Sequence, residues 1–453
     1  MNGLLSFLLD IVTQPAVLVS LISILGSVLQ KNSLSQTITS GIKTFVGFLI
    51  LQAGAGVIEN SLAPFSEMFQ YAFNTQGLVP NNEAVVGVAL NEFGTNTALI
   101  MMVGMITNVI IARITKYKYI YLSGHVMLYM ACLIAIILQQ FNMTNMMIVA
   151  VGGLALGLYN TIFPAFLQPF TRKVTGTDDI AVAHTGNFGY LISALIGKYV
   201  GDKEKSTEDI SFPKGLSFLR DSTVSVALTM IISYIIVALF AGNEWVSENL
   251  SNGTNYIVFS IIEGGKFSGG VYVILAGVRM LLQEIVPAFQ GISEKVVPGA
   301  IPALDVPTVF PFAQNAVLIG FISSFLGGII SMVIQGSFGL PIVIPGVIAH
   351  FMCGATSGVF GNATGGRRGA VLGAFIQGIL ISFVPIILMP LMGQLGFSGS
   401  TFADADYSVV GIFLGGLSQI GGQNAIIGGI VAVLVIVLLM SYFSGKKEIS
   451  ESK

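Results

Sequence analysis

Long apolar runs separated by short polar segments dominate this sequence. A membrane-spanning helix needs about 20 mostly apolar residues, and that criterion marks eleven runs. They lie near residues 10–30, 40–60, 95–113, 119–138, 145–165, 222–241, 256–285, 314–336, 341–360, 369–394 and 408–442. The pattern predicts an all-α polytopic membrane protein with eleven transmembrane helices.

Four stretches do not fit plain helical spans. The segment PGAIPALDVPTVFPF (298–312) places four prolines around one carboxylate, Asp305, and proline interrupts a helix interior. The segments 77–93, 177–197 and 360–368 are short, polar or glycine-rich. Non-helical backbone at membrane depth is tolerated where it is buried in protein or lines a wet cavity. We therefore predict re-entrant hairpins or unwound turns at these places.

An internal repeat links the two halves of the chain. An Ala-Gly pair at 53–54 precedes a proline at 64, and the same pattern recurs 223 residues later, at 276–277 and 287. The same shift carries Asn82 onto Asp305. Because five spans separate the copies, they run in opposite directions, which is the inverted-repeat plan of secondary transporters.

The Lys and Arg residues predict the topology. Their clusters between the runs fall on one side of an eleven-span path, and basic loops are cytoplasmic. This predicts a multi-pass membrane protein with its N-terminus outside and its C-terminus cytoplasmic. The loops at 61–94, 139–144, 242–255 and 395–407 are nearly free of basic residues and are predicted to lie outside.

The predicted domain organisation follows from these runs. We expect one membrane-embedded domain over residues 1–445, with two inverted five-helix repeats and a further C-terminal helix. Repeat one covers about 10–197, repeat two about 222–394 and the extra helix about 408–442, with a cytoplasmic loop at 198–221 and a cytoplasmic tail at 446–453.

Composition excludes several functional classes. Only 9% of residues are charged, against about 25% in soluble chains, and the net charge of −2 offers no basic field for nucleic acid. Two cysteines provide no metal cluster, and no phosphate-binding loop of the G-x-x-x-x-G-K-[ST] type is present. We expect neither a metal nor another cofactor. Because no nucleotide-binding loop is present, the energy for transport would have to come from an ion gradient or from a partner protein.

Polar groups at membrane depth are the candidate site. A charge at the bilayer centre costs about 2.5–3.5 kcal/mol on insertion scales, which favours a functional interpretation. Asp305 either caps a turn or accepts hydrogen bonds, and a proton, from a ligand hydroxyl. His125 and His184 are either packing residues or ligand contacts. Asn82 and Glu83 form either an exposed turn or part of the site. Arg279 and Glu284 are expected to pair with each other.

Several motifs resemble one known family. FVGFLILQAGAGVI (45–58), LSGHVM (122–127), GVRMLLQEIVPAFQGIS (277–293), PGAIPALD (298–305) and FAQNAVLIGF (312–321) resemble the membrane component (EIIC) of the ascorbate-type sugar phosphotransferase system, in the ascorbate/galactitol superfamily. The resemblance extends over essentially the whole chain.

The resemblance implies a homodimer and an elevator-type movement of a sugar-carrying core. It also implies that the sugar is phosphorylated on delivery by the phosphocysteine of a cognate EIIB protein, with EIIA and the general phosphotransferase proteins upstream. The family's sugar contacts fall on these positions: Asn82, Glu83, His125, Tyr129, His184, Thr185 and Asp305. Asp305 or a histidine would orient or deprotonate the hydroxyl under attack.

The chain departs from the ascorbate pattern at some of these positions. Tyr129 and Thr185 stand where that pattern has glutamines, and Asn82-Glu83 stands where it has a Thr-Tyr pair. Changed hydrogen-bonding partners select a changed ligand. The expected substrate is therefore ascorbate or a related sugar acid, pentose or polyol. Alternatives are an ion-coupled secondary transporter, in which Asp305 and Glu83 carry the ion, and a passive channel or structural membrane protein.

Overall fold

A computed structural model describes residues 15–74, 77–141, 143–210, 222–397 and 399–451. Parts of the predicted first run, of the 198–221 loop and of the tail lie outside the described residues. The helices are α1 (Pro15–Leu29), α2 (Leu34–Phe73), α3 (Asn82–Ile114), α4 (Gly124–Gln139), α5 (Asn145–Thr175), α6 (Asn187–Val200), α7 (Ser222–Ala241), α8 (Asn243–Asn249), α9 (Tyr256–Val296), α10 (Gln314–Ser337), α11 (Ala355–Leu388) and α12 (Ala405–Glu451).

Short 3₁₀ and π-helical pieces and six short strands complete the described elements. The 3₁₀ helices are Thr207–Asp209, Val306–Phe312 and Met389–Phe397, and a helical turn at Val347–Ala349 leads through a π-helical turn, His350–Gly354, into α11. The strands are β1 (Gly77–Pro80), β2 (Tyr119–Tyr121), β3 (Ala181–Val182), β4 (Ile301–Leu304), β5 (Ile342–Val343) and β6 (Ser400–Thr401).

The helices have the length and apolarity of a multi-pass membrane protein. Among the described residues, seven helices are long and apolar enough to cross a bilayer, or eight if the bent pair α7 and α8 is one span. The predicted number of eleven therefore remains a prediction. The difference arises partly because α4 has only 16 residues and because the runs at 341–360 and 369–394 lie in one long helical segment, His350–Gly393.

Helix α4 occupies the centre of the described fold. Its side chains from Val126 to Leu138 are all buried, as expected for a helix that is apolar all round. By contrast, large apolar side chains are exposed along α1, α7 and α12, including Leu29, Phe240 and Phe443. Such surfaces suit contact with lipid.

The six strands form two small parallel sheets that join the halves of the chain. The first sheet has the order β5-β1-β6 and the second the order β2-β4-β3. In each sheet the central strand comes from one half of the sequence and both outer strands come from the other. These strands were not predicted from the sequence, because they are two to four residues long and lie inside apolar or proline-rich stretches.

A bend in α11 lies where the glycine-rich segment 360–368 predicted an unwound turn. Gly365 and Gly366 leave helical geometry, with Gly366 at φ +59° and ψ −148°. The loop after α6 packs onto this bend through hydrogen bonds from Asp202 N–H to the Gly365 carbonyl (2.9 Å) and from Arg367 N–H to the Lys205 carbonyl (2.8 Å). The prediction of an unwound turn is confirmed here.

The predicted structures of two segments are wrong. Residues 82–93 are not a re-entrant hairpin but the first turns of the continuous helix α3, which Asn81 caps by accepting from the Ala84 N–H (2.8 Å). Residues 399–407 are not an outside loop but are buried. Counting basic residues could not separate a buried uncharged segment from an external loop, because both lack Lys and Arg.

The bend predicts a strong requirement for glycine at position 366. Gly366→Ala should lower stability by about 1–3 kcal/mol, since its backbone conformation is nearly restricted to glycine and a Cβ would meet the carbonyls of Asp202 and Lys205. The measurement is thermal unfolding in detergent. Gly265→Ala, in α9 with no neighbouring atom near the added Cβ, is the control and should be neutral or stabilising by up to about 1 kcal/mol.

Candidate functional site

A cavity of about 760 Å³ lies between the ends of the two sheets. It is lined by most of the polar residues that the sequence predicted, namely Asn82, Glu83, His125, Tyr129, His184 and Asp305. Thr185 lies directly behind the wall and hydrogen-bonds Asp404, which does line the cavity. Seven residues spread over more than 200 positions are thus brought into one site.

The second sheet delivers three of these residues from the carboxyl ends of its strands. Asp305 follows β4 directly, His184 comes two residues after β3, and His125 opens α4 shortly after β2. Backbone bonds continue the pairing past the strand ends, from Leu122 N–H to the Ala303 carbonyl (2.9 Å) and from Ala183 N–H to the Leu304 carbonyl (2.7 Å). Parallel strands place the residues after their carboxyl ends at one edge, where ligands bind in many sheets.

The first sheet contributes the opposite group of polar residues. Asn82 and Glu83 begin α3 just after β1, and Asp404 follows β6. The Asn82 side chain ties the two segments together, since its Oδ1 accepts from the Ala403 N–H (2.8 Å) and its Nδ2 donates to Asp404 (3.2 Å). Glu83 is buried on the cavity wall, so the interpretation of Asn82-Glu83 as an exposed turn is wrong.

Asp404 is the centre of the hydrogen-bond network that joins both sheets. Its carboxylate accepts from the Thr185 hydroxyl (2.5 Å) and the Asn82 amide (3.2 Å), and from the Cys353 thiol (3.4 Å). The side chain is only 2% exposed, so these bonds compensate a buried charge. The sequence analysis missed Asp404, although a carboxylate in an apolar stretch between two spans was a usable signal.

His184 has a defined tautomer in this network. Its Nδ1 accepts from the Gly186 N–H (3.1 Å) and lies 2.8 Å from the Tyr190 hydroxyl. Because a backbone N–H can only donate, Nδ1 must hold a lone pair, and the proton of the neutral ring is assigned to Nε2. His184 is 4% exposed and fixed in orientation.

Donor atoms of His184, Cys353 and Asp404 lie within 4.8 Å of one another. This donor set would suit a transition metal in other surroundings. Here Nδ1 of His184 already accepts the Gly186 N–H, and the thiol of Cys353 donates to Asp404. The arrangement fits a hydrogen-bonded network that holds the site together.

Asp305 and His125 form a more accessible pair. One Asp305 oxygen caps the 3₁₀ helix by accepting from the Val306 N–H (2.7 Å), and the other lies 3.5 Å from Nε2 of His125. Their side chains are 32% and 36% exposed, enough to meet a ligand. The turn-capping and the ligand-facing interpretations of Asp305 therefore both fit its geometry.

A second buried carboxylate, Asp406, hydrogen-bonds the backbone next to His184 and Thr185. It accepts from the backbone N–H groups of Asn187 (3.1 Å) and Phe188 (2.9 Å), at the N-terminus of α6, and from the Tyr159 hydroxyl (3.0 Å). Its own N–H donates to the Thr185 carbonyl (2.8 Å). A carboxylate is favoured at a helix N-terminus, so Asp406 fixes the turn that carries the site residues.

The Tyr129 hydroxyl is buried on the cavity wall and finds no hydrogen-bond partner among the described residues. A buried polar atom without a partner is costly. A bound ligand that reaches this hydroxyl would remove that cost.

A polytopic helical fold with a cavity that polar side chains from both halves of the chain line is the general plan of a membrane permease. The sequence model of the EIIC-GAT family, described as PTS system sugar-specific permease component, matches residues 10–406. The chain belongs to this family of sugar-specific permeases. It is also similar to the ascorbate-specific PTS system EIIC component of Mycoplasma pneumoniae, with 29% identity over 436 residues, which covers 84% of this chain. The chain spans 65% of the length of that relative.

The Asp404 network predicts a large effect of one conservative change. Asp404→Asn should lower the apparent melting temperature in detergent, because it weakens charge-assisted bonds worth about 1.5–3 kcal/mol each and turns one acceptor into a donor facing Thr185 or Asn82. Asp178→Asn is the matched control, since Asp178 is exposed and pairs with Arg172 at 2.7 Å. Equal melting temperatures for the two variants would contradict the central role of Asp404.

Proposed function

We propose that this chain is the permease of a phosphoenolpyruvate-dependent phosphotransferase system that moves a sugar inward and presents it for phosphorylation by a cognate EIIB. The observation that carries the proposal is the cavity, in which histidine, carboxylate, amide and phenol groups from both sheets converge. Such groups match a ligand with many hydroxyls, and the family membership supports phosphotransfer. The substrate is ascorbate or a related sugar acid, pentose or polyol.

The proposed reaction needs little covalent chemistry from the permease. A sugar hydroxyl oxygen attacks the phosphorus of the EIIB phosphocysteine, the P–O bond forms, the S–P bond breaks, and the thiolate leaves. The hydroxyl proton passes to Asp305 or to a histidine. Asp305 and His125 are the accessible candidates, because both side chains are about one-third exposed to the cavity. Positioning supplies most of the catalysis in such transfers.

Inverted repeats are part of the proposal, and the sheets support them. The repeat relates β1 to β4, β2 to β5 and β3 to β6, so each sheet has a central strand from one repeat and outer strands from the other. By strand position, the partner of Asp305 is Asn81, the residue after β1, and not Asn82. Thr185 and Asp404 follow the related strands β3 and β6 and bond to each other, so this pair lies near the axis that relates the two repeats. The second repeat then extends beyond residue 394, through β6 and into α12.

The remaining features of the proposal rest on family membership. They are eleven spans, a homodimer, an elevator-type movement of the sugar-carrying core, and an outside N-terminus with a cytoplasmic C-terminus in a bacterial plasma membrane. Arg367, next to the bend in α11, donates to the Ser206 carbonyl (2.9 Å) and pairs with Asp209 (3.4 Å) of its own chain, so we do not include it among the EIIB contacts.

The decisive experiment is sugar uptake into vesicles that contain the full chain, with and without phosphorylated EIIB. The proposal expects phosphorylated sugar to accumulate only with the phosphorylated partner. Accumulation of unmodified sugar driven by a proton or sodium gradient would instead favour the ion-coupled transporter.

Asp305→Asn should abolish uptake while the protein still folds. The amide keeps the size of the side chain but loses the charge and the ability to accept a proton. Uptake, with melting temperature and size-exclusion elution as folding measurements, tests this. Asp179→Asn, at an exposed turn with its carboxylate bonded to Thr177, is the control. Normal uptake by Asp305→Asn would remove Asp305 from the mechanism.

Tyr129→Phe should lower sugar affinity without lowering thermal stability. The substitution removes a buried hydroxyl that lacks a described partner, so the melting temperature should stay unchanged or rise slightly. Sugar affinity should fall by about 10-fold, because one lost hydrogen bond is worth about 1.4 kcal/mol. Binding of radiolabelled ascorbate measures this. Tyr272→Phe, on an exposed face of α9, should change neither quantity.

A further inference from the structure

Arg279 brings a permanent positive charge to the cavity. It lies on α9 inside the apolar stretch Tyr256–Met280, which is long enough to span the membrane, and it lines the cavity. Leu275, Gln283 and Pro287 line the same cavity, and with Arg279 they follow one another at intervals of four residues, at 275, 279, 283 and 287. Residues at this spacing share one face of a helix, so this face of α9 is turned toward the site.

The expected pairing of Arg279 with Glu284 is wrong. Glu284 pairs with Lys43 of α2 at 3.0 Å. Residues five apart lie on different sides of a helix, unlike those three or four apart. Among the described residues, no ion pair within 4 Å joins Arg279 to Glu83, Asp305 or Asp404.

Arg279 lies at the end of the apolar stretch Tyr256–Met280, and its side chain is exposed, so it is accessible to a ligand that enters the cavity. Arginine does not lose its proton in proteins, so this charge is permanent. Among the described residues that line the cavity, Arg279 is the one Lys or Arg. His125, Tyr129 and Asp305 line the same cavity as Arg279.

Two of the three carboxylates that line the cavity already have partners within the protein, although Asp305 remains partly exposed. Asp404 is surrounded by three donors, and Asp305 caps a turn and faces His125. An anionic ligand would therefore be repelled by most of the wall and attracted at one place. A guanidinium binds carboxylate-like groups through two parallel hydrogen bonds.

We propose that Arg279 is a specificity-determining residue that binds the anionic group of a sugar acid or acidic enol, while hydroxyls of the same ligand bond to the accessible pair Asp305 and His125. This inference rests on the proposed function and narrows its substrate class from sugars and polyols in general to anionic sugars.

The test compares Arg279→Gln and Arg279→Lys with the wild-type full chain in lipid nanodiscs. Dissociation constants are measured for L-ascorbate, for gluconate, and for glucitol, the neutral alcohol that matches gluconate. Arg279→Gln should weaken binding of the two anions by about 10- to 100-fold, as expected for a lost charge-assisted contact, and that of glucitol by less than about 2-fold. Arg279→Lys should retain part of the anion affinity.

The control is Lys295→Gln, an exposed residue in the last turn of the same helix, which removes the same charge without touching the cavity and should change no dissociation constant. Equal losses for anions and glucitol, or no loss, would overturn the role of Arg279. A wild-type chain that binds glucitol but neither anion would overturn it too and would leave the sugar permease standing. Failure of the wild-type chain to bind any sugar would reject the proposed function itself.

Discussion

The structure depends on one constraint, which is that every backbone polar group inside a membrane must find a partner within the protein. A polar site requires interrupted helices, and each interruption frees N–H and C=O groups. Here the interruptions pair with one another as two short parallel sheets. The pairing satisfies the backbone and, through the same hydrogen bonds, fixes where each interrupted segment ends.

That arrangement explains why the functional side chains converge. His125, His184 and Asp305 follow the strands of one sheet, and Asn82, Glu83 and Asp404 follow those of the other. Because each sheet takes strands from both halves of the chain, neither half can form a complete site alone. The bond from Thr185 to Asp404 then joins the two groups.

Charge within the cavity is distributed unevenly, and this matters for selectivity. Buried acids such as Asp404 and Asp406 are held by donors from the protein and serve mainly to position their neighbours. Asp305 and His125 are more exposed and available to a ligand. Arg279 lines the same cavity from a different helix, α9. Under the proposed function, such a site would distinguish ligands by where their charge lies as well as by their hydroxyls.

The sequence by itself determined the membrane class, the proline-rich break around Asp305, the bend at 360–368 and the residues of the cavity wall that carry the family motifs. The first three follow from local properties, because apolar length, proline and glycine act on their own segments, whereas the cavity-wall residues follow from the resemblance of short motifs to a known family. Only the tertiary structure decided that Asp404 and Asp406 belong to the site, that Arg279 faces the cavity while Glu284 binds Lys43, and that residues 399–407 are buried. The placement of 399–407 and Asp404 depends on pairing between strands far apart in the chain, and two-residue strands leave no periodicity in the sequence by which to find them. The placement of Arg279 and Glu284 depends on the packing of α9 against α2.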